Sequence, residues 1–386
     1  VSTPGPLGGN PFEGLPIFGD LAKLFISSGP VHWEIARQMA QYIAVSGEPE
    51  PNVEPLQRIR LEELVRVADL HVATVTGMSG GILRADVVAR SEWAARTLRD
   101  YTTLLERLAQ SLAAAGEDDD APEGTPDFLG NLGQVLGPVM MGFQAGSMVG
   151  HLAQRAFGQY DLPIARPATE AIVLVPANID AFAADWSLPV DDLRLWVCLN
   201  EVAHHAVLNR PHVRARLEEL LMAYVAGFRP EAAAFDDRFS AFDPTDPSSF
   251  QAAMADPEAV LGAIQTDEQR RLLPRIEAVT AAVEGYVDHV MDSVGRRYVG
   301  SYGSLSEALK RRRVERGEGD RFVEHLFGLE LGQPQYDRGA AFVRGVLERA
   351  GDTGLARLWE SERTLPTPAE LEAPGLWLER ISFPEE

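Results

Sequence analysis

The chain has 386 residues, 45% of them hydrophobic and 24% charged, which is enough apolar material for a sizeable core in one large domain or in two to three average ones. Its formal net charge of −22 argues against nucleic acid or an anionic membrane surface as a main partner, since both reward basic surface. One cysteine, Cys198, excludes an internal disulfide and reads as a small core residue.

Residues 1–16 are rich in Gly and Pro and form an irregular lead-in, with no basic region followed by an apolar run of the kind a secretory signal needs. The sequence starts without Met, as expected where an upstream piece is missing. The longest apolar stretch, Val135 to Val149, is interrupted by Gly, Pro and Gln and is too short to span a bilayer, so a soluble cytoplasmic protein is expected. A short helix is expected over Asp20–Ile26. Another is expected over His32–Ser46, where Ile35, Met39 and Ile43 recur every four residues. His32 sits beside a helix start and reads as a surface or packing residue.

After the turn-rich Pro51–Pro55, Ile59–Thr76 reads as a helix with Leu61, Leu64, Val65, Ala68 and Val72 on one face. Val87–Ala115 reads as one long helix or a pair. The acidic run over 116–127 reads as a flexible solvated loop. Phe128–Gly158 carries Gly142, Gly146 and Gly150 at four-residue spacing, a face that another helix backbone could approach closely inside a soluble core. Ile172–Val175 is the best strand candidate.

The stretch Leu193–Leu208, LRLWVCLNEVAHHAVL, is apolar except for Asn200, Glu201, His204 and His205. Polar groups in a core helix cost free energy unless they are paired, bonded to metal or used chemically. Asp191 and Asp192 suit the helix start, and Asn209-Arg210-Pro211 stops it. The register is one residue away from H-E-x-x-H, in which two His at i and i+4 bind zinc and Glu is the general base. Here Asn200 stands in place of the first His.

His212–Phe228 is a further amphipathic helix, Asp236–Ser249 a loop, and Leu273–Val294 a long helix with a Val-rich stripe. That last helix carries Glu284, Asp288 and Asp292 in one row. In thermolysin-like peptidases the third zinc ligand is the Glu of an E-x-x-x-D pair whose Asp orients an imidazole, a pattern that Glu284 and Asp288 repeat. The basic KRRRVER run, Lys310–Arg316, reads as a solvated helix end, and the remainder as short helices between Pro-containing turns. The class is therefore mainly α with few or short strands. No internal repeat or clean linker divides residues 1–386, which are read as one domain.

The segments NPFEGLPIFGDLAKLF, GPVHWEIARQMA, AGSMVGHLAQRAFGQYDLP, VPANIDAF, LRLWVCLNEVAHHAVL, EGYVDHVMD, FGLELGQPQYDRGAAFVRGVLERAG and LWESERTLPTPAEL cover nearly the full length. Through them the sequence resembles a zincin-like family of zinc-dependent metallopeptidases and hydrolases, one branch of which is associated with deazaflavin coenzyme biosynthesis. The resemblance implies a multi-helix zincin-like fold, Glu201 as catalytic base, His204 as second zinc ligand and Glu284 as third. Asn200 occupies the first ligand's place. A neutral amide is a poor zinc ligand, so zinc is expected to bind weakly or not at all. His205 is turned about 140° from position 200 on the helix and cannot simply substitute, while His289 is a candidate from the second helix.

Two readings follow. In one, the chain is a hydrolase holding metal through His204, Glu284 and one of His289, Asp288 or His205, and acts on a small-molecule or peptide substrate. In the other it is a non-catalytic relative, with Glu201 paired to His204 or His205 and the cleft used to bind a ligand or partner.

Overall fold

A computed structural model describes residues 29–78, 84–114, 127–162, 164–228, 266–314, 323 and 332–383. The expected lead-in, the Asp20–Ile26 helix, the 236–249 loop and the acidic run lie outside these residues. The exception is Asp127, which opens a helix rather than closing a loop.

The fold is mainly α. Helix α1 (Trp33–Ala44) is followed by α2 (Pro55–Thr76), strand β1 (Arg84–Val87), α3 (Arg90–Asp100), α4 (Thr102–Ala114) and α5 (Asp127–Ala153). Strand β2 (Ala171–Leu174) then leads through α6 (Pro176–Asp185) to α7 (Val190–Leu208) and α8 (Pro211–Ala226). The C-terminal part holds α9 (Asp267–Tyr298), α10 (Tyr302–Val314), α11 (Gln333–Ala356), two short 3-10 turns, α12 (Pro368–Glu372) and α13 (Pro374–Ser382). One apolar cluster runs from Val31 to Ile381 and includes most of the buried face of α7.

Local chemistry explains the ends. Pro occupies the first turn of α2, α6 and α8, where its missing N–H goes unneeded. Gly77 ends α2 at φ +67°, the left-handed conformation that favours glycine. Thr266 and Gln269 form a reciprocal capping box at the start of α9.

The strands pair in parallel, Arg84 opposite Ala171 through Val87 opposite Leu174. The second strand matches the sequence reading. The first does not, because Arg84-Ala85-Asp86-Val87 is four residues long and half polar, too little for a periodic signal. Val87 thus ends a strand, and the expected helix after it is a pair broken at Tyr101. Helix α11, at 24 residues with a bend at Gly351 (φ +64°), replaces the first part of the expected run of short helices, and the two 3-10 turns, α12 and α13 follow the expectation after it.

The glycine spacing on α5 does what it implies. A Cβ at Gly142 would run into the backbone carbonyl of His32, one at Gly146 into that of Ala36, and one at Gly150 would lie 2.7 Å from Ile43. Helix α1 therefore lies directly on the glycine face. A second close crossing joins α9 to α11, where Gly285 and Gly339 meet with no room for a side chain on either.

Candidate active site

Helix α7 is apolar nearly all round, so its polar knot is carried into the core: Glu201, His204 and His205 are 1–3% exposed. Helix α9 packs against α7 and brings Glu284, 4% exposed, to the same place. His204 Nε2 lies 3.2 Å from Glu284 Oε1, and His204 Nδ1–H donates to the Asn200 carbonyl oxygen at 2.9 Å, the i,i+4 partner on its own helix. That second bond fixes the ring so that Nε2 faces Glu284. Burial opposes charge on His204, but the Glu284 carboxylate more than offsets it and raises the imidazole pKa. Burial likewise works against charge on Glu284, and the bonded imidazolium overrides it and lowers the carboxyl pKa.

Glu201 points elsewhere. Its Oε2 accepts the backbone N–H of Tyr160 at 3.0 Å, and its carboxyl group fills the space where a Cβ on Gly158 would stand. Burial, reinforced by the charge of Asp161, pushes its pKa up to about 8. Neither His204 nor His205 pairs with it. His205 instead is pushed down to about 4 by burial and is neutral. Asn209 Nδ2, oriented by its bond to the Thr169 carbonyl, approaches His205 Nε2 at 3.3 Å, so His205 Nδ1 carries the proton toward the Tyr160 hydroxyl at 2.9 Å.

The loop 156–162 that supplies Gly158 and Tyr160 is tied down from several sides. Trp93 Nε1 donates to the Gly158 carbonyl at 2.8 Å, Val175 N donates to the Phe157 carbonyl at 2.8 Å, and the Phe157 amide donates to Asp161. Arg312 holds the other oxygen of Asp161 at 3.1 Å. Behind the loop, buried Arg166 binds Asp100 at 2.8 Å and lies over the rings of Trp93 and Tyr101.

Asp288 meets Arg313 through two bonds, 2.9 and 3.1 Å, rather than an imidazole. The basic run is therefore not only a solvated helix end: Arg312 and Arg313 turn inward on Asp161 and Asp288. His289 is half-buried and, five residues on from Glu284, is rotated about 140° from it.

Two ligands at about 2.0–2.1 Å from one tetrahedral ion stand about 3.3 Å apart. The 3.2 Å between His204 Nε2 and Glu284 Oε1 matches such an edge as well as it matches an ion pair. Among the described residues no group of three or more His, Cys, Asp or Glu is placed to hold a metal. Asn200 Oδ1, one helical turn before His204, is buried with no hydrogen-bond partner, an acceptor left over on the ligand face. His204 and Glu284 supply one imidazole nitrogen and one carboxylate oxygen at ligand spacing, one fewer than the three protein ligands of a catalytic zinc site.

Sequence reasoning missed Tyr160, Gly158, Asp161 and Arg166 as site-builders. The only local hint is the GQYD turn after the glycine-rich helix, whose partners lie 40 and more residues away in sequence.

The family profile described as zincin-like metallopeptidase matches residues 31–378. No curated protein matches the chain. A crystal structure from Chloroflexus aurantiacus, described as a "putative hydrolase with a novel fold", is similar to it at 25% identity and a TM-score of 0.65, over 92% of this chain and 100% of that one.

Proposed function

The chain belongs to the zincin-like metallopeptidase family, and from that premise we propose that it is a metallopeptidase-like hydrolase with a weakened metal site. His204 Nε2, Glu284 and the Asn200 amide oxygen would hold the cation, and Glu201 is the general base. The observation that carries this reading is the 3.2 Å approach of His204 and Glu284 across two helices, with the buried, unpartnered Asn200 oxygen one helical turn before His204 in sequence. When bound, a divalent cation supplies Lewis-acid charge and makes water a better acid.

The chain's own groups do the rest. The Tyr160 N–H holds one oxygen of Glu201 and leaves the other to take and return a proton. A pKa of about 8 keeps that carboxyl protonated at neutral pH in the metal-free chain, and added positive charge nearby would lower it. The Asn200 carbonyl keeps His204 oriented. The substrate is a peptide or a small molecule, by analogy with the family.

A non-catalytic role is the second reading. Its support is that Glu201, His204, His205 and Glu284 each already meet a partner within the protein.

Metal analysis of protein purified without added metal, followed by zinc titration, separates the two. The hydrolase reading expects zinc that binds and is readily stripped by a chelator, and protein that takes up no divalent cation leaves the non-catalytic one. Asn200→His is expected to tighten zinc binding at least about 100-fold, about 2.7 kcal/mol. An unchanged zinc affinity in that variant would show that His204 and Glu284 do not share a metal.

A further inference from the structure

A cavity of about 800 Å³ opens on the other side of α9, lined by Arg216, Arg275, Arg363 and Arg380 and by one carboxylate, Glu362. Arg275 and Val279 of α9 precede Glu284 by nine and five residues, which places them about 180° and 140° around the helix from it. Tyr286, which shares the Val279 face, packs edge-on against Trp359 at 5.3 Å. Helix α9 therefore stands between the cavity and the Glu201–His204–Glu284 cluster.

Four guanidiniums around one cavity run against the charge of a molecule with 57 acidic and 35 basic residues. Two of them are matched: Arg380 binds Glu370, and Arg216 binds Glu219 at 2.7 Å with Glu362 at 4.0 Å. The other two are not. Arg363 spends one nitrogen on the carbonyl oxygens of Arg380 and Phe383, neutral acceptors at 3.2 and 2.6 Å. Arg275 is exposed and, among the described residues, meets no carboxylate. Arginine forks match carboxylate and phosphate oxygens in pairs, and Arg380 is already held rigid by Glu370 and two backbone carbonyls. The apolar part of the lining is Val279, Leu365 and two prolines, and the volume lies within the range of small-molecule sites.

We infer that this cavity is a binding site for a small polyanion, a molecule carrying a phosphate group or clustered carboxylates, separate from the candidate active site. The inference does not rest on the metal reading.

Calorimetric titration of the full chain, stripped of metal and then dialysed free of chelator, with inorganic pyrophosphate and with citrate tests it. Saturable binding that weakens as NaCl is raised is expected for at least one probe, and the tighter one identifies the source of the charge. Arg275→Glu, which disturbs no described contact, is expected to weaken that binding at least about tenfold, and Arg363→Gln by a similar factor. Absence of binding by both probes overturns the inference. So does binding that survives Arg275→Glu and Arg363→Gln unchanged, since the anion would then sit elsewhere.

Discussion

Glu201 is a carboxyl that the fold keeps neutral, and this makes stability depend on pH in a definite direction. Its folded pKa of about 8 lies above the ordinary 4.5, so between those values the folded chain binds more protons than the unfolded one. Its contribution is fully present at low pH, falls as pH rises through the window and is gone above it. His205 acts oppositely: with a folded pKa of about 4 against 6.5, it adds stability as pH rises between those two values. In metal-stripped protein, unfolding free energy from denaturant titration is therefore expected to fall, relative to Glu201→Gln, by up to about 1.4 kcal/mol per pH unit between pH 4.5 and 8. Parallel curves for the two proteins would show that Glu201 is ionised in the fold. That His204 and Glu284 would meet was legible in the sequence, because a degenerate zinc motif and an E-x-x-x-D pair each lie within one helix, but the pair's Asp288 meets Arg313 and not the expected imidazole. The environment of Glu201 was not. It depends on a backbone N–H and a missing Cβ at Tyr160 and Gly158, 41 and 43 positions away, which no local spacing encodes.

Among the elements, the α1–α5 crossing was readable for the same reason that α7 was: three glycines at four-residue spacing mark a face in the sequence itself. The α9–α11 crossing uses one glycine from each helix, Gly285 and Gly339, and a single residue leaves no period to read. Gly146→Ala is expected to destabilise by about 1–3 kcal/mol, because its Cβ would meet the Ala36 backbone, which cannot move aside as a flexible side chain could. Gly303→Ala, in α10, has open space around the new Cβ and is expected to be neutral or to gain up to about 1 kcal/mol from helix propensity. Thermal unfolding of the two variants checks the contrast. Equal effects would mean that α1 does not rest on the glycine face.

For the whole molecule, helical period across nearly every segment set the mainly α class, and resemblance along the full length pointed to the family before any contact was known. What stayed hidden was the distribution of charge. A net −22 says nothing of Arg166 buried under two aromatic rings, of Arg312 and Arg313 turned inward, or of four arginines gathered behind α9. Such placements are set by tertiary packing and cost too little local propensity to leave a trace in composition.

Cys198 lies in the middle of α7, fully buried three residues before Glu201, and burial pushes its thiol pKa up. As the chain's one thiol, it makes the candidate active-site helix carry its own clock. A disulfide reagent can reach it only when α7 parts from its neighbours, so the modification rate counts openings of the core. Across a series of denaturant concentrations the labelling rate is expected to follow global unfolding. Fast labelling without denaturant would show that α7 opens by itself. A cation or anion that binds the folded chain is expected to slow the rate by the factor it adds to stability, so both sites can be followed through one sulfur atom.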